Sequence, residues 1–336
     1  MRDVATPHAV ASMHLVDRSD AAALEQVPTR NGFGEGLVEA ASADRNVVGI
    51  CADLSESTRM LGFAKAHPDR YFEIGVSEQM LVALAGGLAA CGKIPWTASY
   101  AMFNPGRSWE QVRTIAALNE ANVKIAGAHA GVSVGPDGAT HQAIEDIAIM
   151  RVIPHMTVVV PCDSVQTRKA TLALSQAFGP AYLRFGRDKS PVITTDETPF
   201  QIGKAQVFRT GSDAAIVACG ILVYNALVAA DELARESGIE CLVLNNHTVK
   251  PMDDAAVVEA AQSCGAVVTV EEHQIAGGMG SAVAETLAKR NPVPIEFVGV
   301  KDLFGQSGDP LELIEYYAMG VASIKDAVRA VLERKP

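Results

Sequence analysis

The stretch Ile74-Gly75-Val76-Ser77-Glu78-Gln79-Met80 joins a short apolar-aromatic run, Tyr71 to Ile74, to an apolar helical pattern, Met80 to Ala90. A strand, a tight turn and a helix form the repeating step of an α/β fold. The turn delivers one carboxylate, Glu78, to the start of the helix. Burial there disfavours its charge, unless it serves as an acid or base or meets a basic group. A glutamate simply held by the helix dipole is the plain alternative, and this stretch alone leaves both readings open. Gly86-Gly87 inside the helix allow another backbone or a flat ligand to come close.

The same step recurs on both sides. Apolar runs at Val47–Ile50, Val123–Ala128, Thr157–Val160 and Ala181–Arg184 read as strands buried on both faces of a parallel sheet. Amphipathic stretches, Trp109–Asn119 and Ser164–Phe178, lie between them. Asp188 to Gln201, rich in proline, threonine and charge, reads as an inter-domain linker. A second series follows, with strands at Ala214–Ala218, Cys241–Leu244, Val267–Val270 and Ile295–Val298 and helices at Val223–Ser237 and Ser281–Arg290. The expected fold is two doubly wound α/β domains with mainly parallel sheets. Their expected bounds are an N-terminal extension at 1–23, a first domain at 24–188, a linker at 189–203 and a second domain at 204–336.

Composition narrows the function. The chain has 336 residues, 49% hydrophobic and 20% charged, with a net charge of -11. That charge and the lack of a basic run argue against nucleic acid, whose phosphates are bound by lysine and arginine. No apolar segment is long enough to span a membrane. Met1 to Ala23 lacks the pattern of a signal peptide. The six cysteines are scattered through apolar segments, which suits reduced thiols in a cytoplasm and gives no metal-ligand spacing.

A second constellation is His129-Ala130-Gly131-Val132-Ser133-Val134-Gly135-Pro136-Asp137-Gly138-Ala139-Thr140-His141-Gln142. It is a glycine-rich loop after a strand, where parallel sheets bind ligands. Its imidazoles and carboxylate can hold polar oxygens and move protons. Tyr100 and Phe103 offer aromatic faces for a flat ring, although two aromatics at this spacing also suit a plain core. Asp53-Leu54-Ser55-Glu56-Ser57 follows the first strand, and Ser55 or Ser57 reads equally as a helix cap. Arg30 and Arg187 carry guanidinium forks that fit phosphate; most arginines merely lie on the surface. Gly277-Gly278-Met279-Gly280 precedes a helix and reads as a structural turn, because the strand-side dinucleotide fingerprint is absent.

Taken together, these segments resemble the transketolase family of thiamine diphosphate enzymes, from about Pro28 to the C-terminus. The turn at Gly75 resembles that family's Gly-x-x-Glu-Gln/His segment. The resemblance implies that Glu78 bonds the cofactor's pyrimidine and helps generate its reactive ylid. Phe103 would stack on the pyrimidine, Tyr100 would line the same pocket and Asp53 would support the thiazolium side. The third family aromatic falls at Gly106, so that wall is missing or comes from another residue. The His129–His141 loop resembles the family's Thr-His-x-x-x-Gly-x-Gly-x-Asp-Gly-x-Thr-His segment. It implies a phosphate contact for His129, a substrate hydroxyl for Asp137 and a place beside the reacting oxygens for His141. Arg187, Arg30 and Ser57 would complete the phosphate site. Asp302 to Gly320 resembles the family's C-terminal domain.

The family's diphosphate-side Gly-Asp-Gly motif is not found in this sequence. The resemblance therefore implies the C-terminal subunit of a split transketolase, with no metal site of its own. The cofactor would be shared with an N-terminal subunit that carries the diphosphate and Mg²⁺, as an α2β2 heterotetramer acting on sugar phosphates. Three rivals stand beside it: a split deoxyxylulose phosphate synthase, the β subunit of a 2-oxoacid dehydrogenase, and a degenerate scaffold or regulatory subunit. His129 weighs against the first, the Asp137–His141 loop against the second, and the intact Glu78, Asp137 and His141 against the third.

Overall fold

The computed structural model describes residues 9–335. Residues 1–8 of the expected N-terminal extension lie outside the described residues. After two 3-10 turns, Ala11–Met13 and Ala21–Ala23, come a short strand β1 (Gln26–Pro28) and α1 (Thr29–Ala43). It continues through β2 (Val47–Cys51), α2 (Met60–Ala66), β3 (Tyr71–Glu73), α3 (Glu78–Ala90), β4 (Ile94–Tyr100), α4 (Trp109–Gln111), β5 (Lys124–Ala128), α5 (Asp146–Arg151), β6 (Thr157–Val159), α6 (Ser164–Gln176) and β7 (Ala181–Arg184). Then β8 (Lys189–Pro191) returns to pair antiparallel with β1.

The second half runs through β9 (Gln206–Arg209), β10 (Ala214–Ala218), α7 (Leu222–Ser237), β11 (Cys241–Asn245), β12 (Thr248–Lys250), α8 (Asp254–Cys264), β13 (Val267–Gln274), α9 (Met279–Arg290), β14 (Ile295–Val300), α10 (Pro310–Tyr316) and α11 (Val321–Glu333). Its sheet has the order β14-β13-β10-β11-β9. The first sheet has the order β12-β6-β7-β5-β4-β2-β3. Within it every pair is parallel except β12 with β6. Strands β2, β5 and β7 are buried at every residue. Helices cover both faces of such a sheet, which is why these strands read as continuous apolar runs.

Four features differ from the sequence reading. Strand β4 is not among the expected strands, because Pro95, Thr97 and Ser99 interrupt its apolar run. Its polar side chains are answered internally: Thr97 Oγ1 donates to the Lys124 carbonyl at 3.3 Å and accepts from Asn104 Nδ2 at 3.1 Å. The expected helix Trp109–Asn119 is one α turn followed by a π-helix, Val112–Ala117. The stretch read as a linker is tied down. Asp163, the N-cap of α6, accepts hydrogen bonds from the backbone N–H groups of Ile193 and Thr194 at 2.9 and 2.7 Å. Finally, β12 lies in the second half of the sequence yet completes the first sheet.

The halves share one apolar core. Ile147, Met150, Met156 and Val160 of the first pack in one cluster with Val217, Leu244, Val257 and Met279 of the second. The Gly277–Gly280 turn is internally satisfied: Glu271 accepts from the N–H groups of Met279 and Gly280 at 2.7 and 2.8 Å. A carboxylate of the chain itself thus sits at the N-terminus of α9, where the dipole favours negative charge. Among the described residues, no helix is long and apolar enough to cross a membrane.

Candidate active site

Parallel strands bring their carboxyl ends to one edge of the sheet, and the candidate residues gather there. Glu78 opens α3 and is 2% exposed. Its Oε2 accepts from Arg107 Nη1 at 2.7 Å, and its Oε1 lies 3.5 Å from Ser99 Oγ on β4. The Arg107 guanidinium also lies over the Phe103 ring, 4.8 Å from its centroid. An aromatic face attracts a cation in this position. The sequence reading did not include Arg107. Its signal was its place four residues after Phe103 in a helical turn. A Cβ on Gly106 would lie 1.9 Å from the Met102 carbonyl oxygen, so no side chain fits at Gly106.

The aromatic and imidazole rings form one group. Tyr100, at the end of β4, stacks on His129 at 4.0 Å between centroids and faces Phe103 at 6.2 Å. His141 presents its edge to Phe103 at 5.3 Å and to Tyr100 at 6.0 Å. The structure therefore brings Glu78, Tyr100, Phe103, His129 and His141 together from three separate segments. His129 is buried just after β5 with φ of 54°. Burial, then the charge of Arg30 and of Arg187, pushes its pKa down to about 3. It is neutral at working pH, and its Nδ1 is buried without a partner among the described residues.

Three arginines surround the far side of this group. Arg30 Nη1 donates to the Ser57 carbonyl at 2.9 Å, and its buried Nε has no partner among the described residues. Burial, then the neighbouring charges of Arg59 and Arg187, depresses the Arg30 pKa. Arg187 Nη1 donates to the Val134 carbonyl at 2.9 Å and to Asp137 Oδ1 at 3.1 Å. Arg59, which the sequence reading passed over, donates from Nε to Asn31 Oδ1 at 2.8 Å. The charges of Arg59 and Arg187 act on Arg30, and such a cluster of cations favours an anion.

Asp53 follows β2 with φ of 60° and is exposed. Its own N–H donates to Glu73 Oε1 at 2.7 Å. Glu73 also accepts from the Gly75 N–H at 3.0 Å and the Tyr71 hydroxyl at 2.6 Å, so it fixes the turn that presents Glu78. Ser57 contributes its backbone carbonyl to Arg30; among the described residues no hydrogen bond of its hydroxyl is observed.

Residues 25–192 match the family described as transketolase, pyrimidine binding domain, and residues 203–324 match transketolase, C-terminal domain. The chain is 40% identical over 309 residues to a putative transketolase C-terminal section of Methanocaldococcus jannaschii, covering 91% of this chain and 96% of that one. It is 41% identical over 312 residues to a 6-deoxy-6-sulfo-D-fructose transketolase subunit of Clostridium sp., covering 93% and 97%. A solved structure described as a split gene transketolase, inactive β4 tetramer, superposes with a TM-score of 0.86 at 42% identity, covering 92% of this chain and all of that one. With a buried glutamate, paired histidines and an arginine cluster on two matching domains, the chain belongs to the transketolase family.

Proposed function

We propose that this chain is the C-terminal subunit of a split transketolase that transfers a two-carbon ketol unit between anionic sugars. An N-terminal subunit would supply the diphosphate and Mg²⁺ site, as an α2β2 assembly in the cytoplasm. One observation carries the reading: a buried carboxylate, Glu78, is joined through Arg107 to Phe103, and His129 and His141 pack on the same pair of rings, Tyr100 and Phe103.

The residues present fit the pyrimidine end of thiamine diphosphate, on which the family depends. The guanidinium of Arg107, a planar group with N–H donors, lies over Phe103 and donates to Glu78. A planar ring with an N–H donor therefore has both a face and an acceptor here. When bound, the cofactor supplies carbanion chemistry that side chains lack. The chain's own residues bind, orient and move protons. Glu78 would hydrogen-bond the pyrimidine ring and exchange a proton with its ring nitrogen. Phe103 and Tyr100 would line the pocket of that ring, and Asp53 would support the thiazolium side. His141 and Asp137 orient donor hydroxyls, with His141 placed to shuttle a proton. His129, being neutral, gives one hydrogen bond to the anionic group of the sugar, while Arg30, Arg187 and Arg59 supply the charge and Ser57 lines the site.

The Clostridium relative's name specifies a sulfonated sugar, and the arginine cluster suits a sulfonate as well as a phosphate. The test is reconstitution with a candidate N-terminal subunit. Ketol transfer is assayed from phosphorylated and sulfonated ketoses, with and without thiamine diphosphate and Mg²⁺. Transfer that needs both chains and the cofactor is the expected result. Turnover by this chain alone would overturn the split arrangement, and absence of transfer from every donor would overturn the activity.

A further inference from the structure

The second domain enters the site through the loop that carries its histidines. Gly131, two residues after His129, has φ of 89°, and a Cβ there would lie 2.2 Å from Glu272 Oε1. Only glycine allows that approach. Glu272, on β13 of the second domain and 4% exposed, accepts from the Ser133 N–H at 2.6 Å. Its backbone carbonyl accepts from Arg184 Nη2 at 2.8 Å, and Arg184 Nε donates to the buried Asp146 at 2.8 Å. Tyr182 donates to the same Asp146 oxygen at 2.7 Å. The carboxylate is thus held on a rigid base of two strands.

The far end of the loop is pinned by the same domain. Gln142 Nε2 donates to the carbonyls of Val132 and Gly135 and, at 2.9 Å, to that of Gln306. Ser307 Oγ donates to the Pro136 carbonyl at 2.9 Å. Between these two ties lie Asp137 and His141, and just before them lies His129.

We propose that Glu272 is a positioning residue: with Gln306 and Ser307 it clamps the 129–142 loop from the second domain and so sets where His129, Asp137 and His141 stand in the cleft. The functional consequence rests on the transketolase reading above; the clamp itself does not. A buried backbone N–H left without an acceptor is costly, so losing the carboxylate releases the turn at Ser133. A small displacement of catalytic groups lowers rate far more than it lowers stability.

The experiment compares Glu272→Ala and Glu272→Gln in the full chain. Glutamine keeps an acceptor for the Ser133 N–H and alanine does not. Hydrogen–deuterium exchange of the chain alone reads the clamp without any activity. Exchange across 131–142 should quicken about tenfold in the alanine variant, return towards wild type with glutamine, and stay unchanged in β10 and β11. In the reconstituted pair, kcat/KM for ketol transfer should fall about tenfold with alanine and recover with glutamine, at unchanged cofactor affinity. If the alanine variant does not fold, Glu272→Asp takes its place, since it keeps the charge but falls short of Ser133. Unchanged loop exchange, or faster exchange throughout the domain, overturns the clamp. Loop-confined exchange without any ketol transfer in the wild-type pair upholds the clamp and overturns the activity instead.

Discussion

At the scale of single residues, the site turns on the competition for Glu78. Its carboxylate is engaged by Arg107, whose own side chain is half exposed. Glu78→Ala should leave assembly with the partner intact and lower ketol transfer by several orders of magnitude, at about 1.4 kcal/mol per tenfold. Retention of more than about a tenth of wild-type activity in an assembled variant would remove Glu78 from the mechanism. Arg107→Ala vacates the face of Phe103, so titration calorimetry of the reconstituted pair should find thiamine diphosphate bound about two- to fivefold more tightly, the scale of a solvent-accessible ion pair with one partner half exposed. Weaker binding would mean that Arg107 holds the cofactor. His129→Ala and Arg187→Ala should raise KM for phosphorylated donors more than they lower kcat, at about 1.5–3 kcal/mol per lost charge-assisted contact. Equal losses on hydroxypyruvate, which has a carboxylate but no phosphate, would show that they do not read the phosphate. Residues with chemistry at fixed spacings, Glu78 and the His129–His141 loop, stood out in the sequence. Arg59, Arg107 and Glu272 did not, because an arginine or glutamate gives no sign of its partner until the chain folds.

At the scale of elements, apolar runs announced the buried strands and polar ones hid. The strand Ile94–Tyr100 ends with Ser99 Oγ 3.5 Å from Glu78 and Tyr100 against His129, so its pattern lacks the apolar continuity of its neighbours. The segment around Asp188–Gln201 looked like a free connector because nothing local reveals that Asp163 will bind it. Histidine burial gives these elements a pH signature. Burial pushes His247 down to about 4 and His129 to about 3. An unfolded chain protonates both near 6.5. Between 6.5 and 4 unfolding therefore takes up protons, and stability falls as pH falls, by at most about 1.4 kcal/mol per pH unit for each histidine. Denaturant titrations at pH 7 and pH 5 should find the loss, and His247→Gln should reduce its slope. An unchanged slope would show that His247 is solvated in the folded chain.

At the scale of the whole molecule, the two halves are one packing unit. Their apolar cluster is continuous, and β12 of the second completes the sheet of the first. Calorimetry should therefore give a single unfolding transition, and a fragment ending at Gly203 should fail to fold cooperatively, because its β6 edge and the shared core face water. Two separate transitions, or a stable fragment, would contradict this. The division into two domains was legible from the recurrence of strands and helices. The exchange of one short strand was not, since three residues carry too little pattern.

That exchanged strand has a consequence for synthesis. A ribosome releases the first domain well before Thr248–Lys250, so the nascent sheet waits with an open edge at Thr157–Val159 while the rest of the second domain is made. Domains usually fold as units in the order they emerge, and unpaired edges invite association. Here the first domain cannot close until the polypeptide is three-quarters complete. Chaperone capture during translation should therefore fall on chains stalled between those two points.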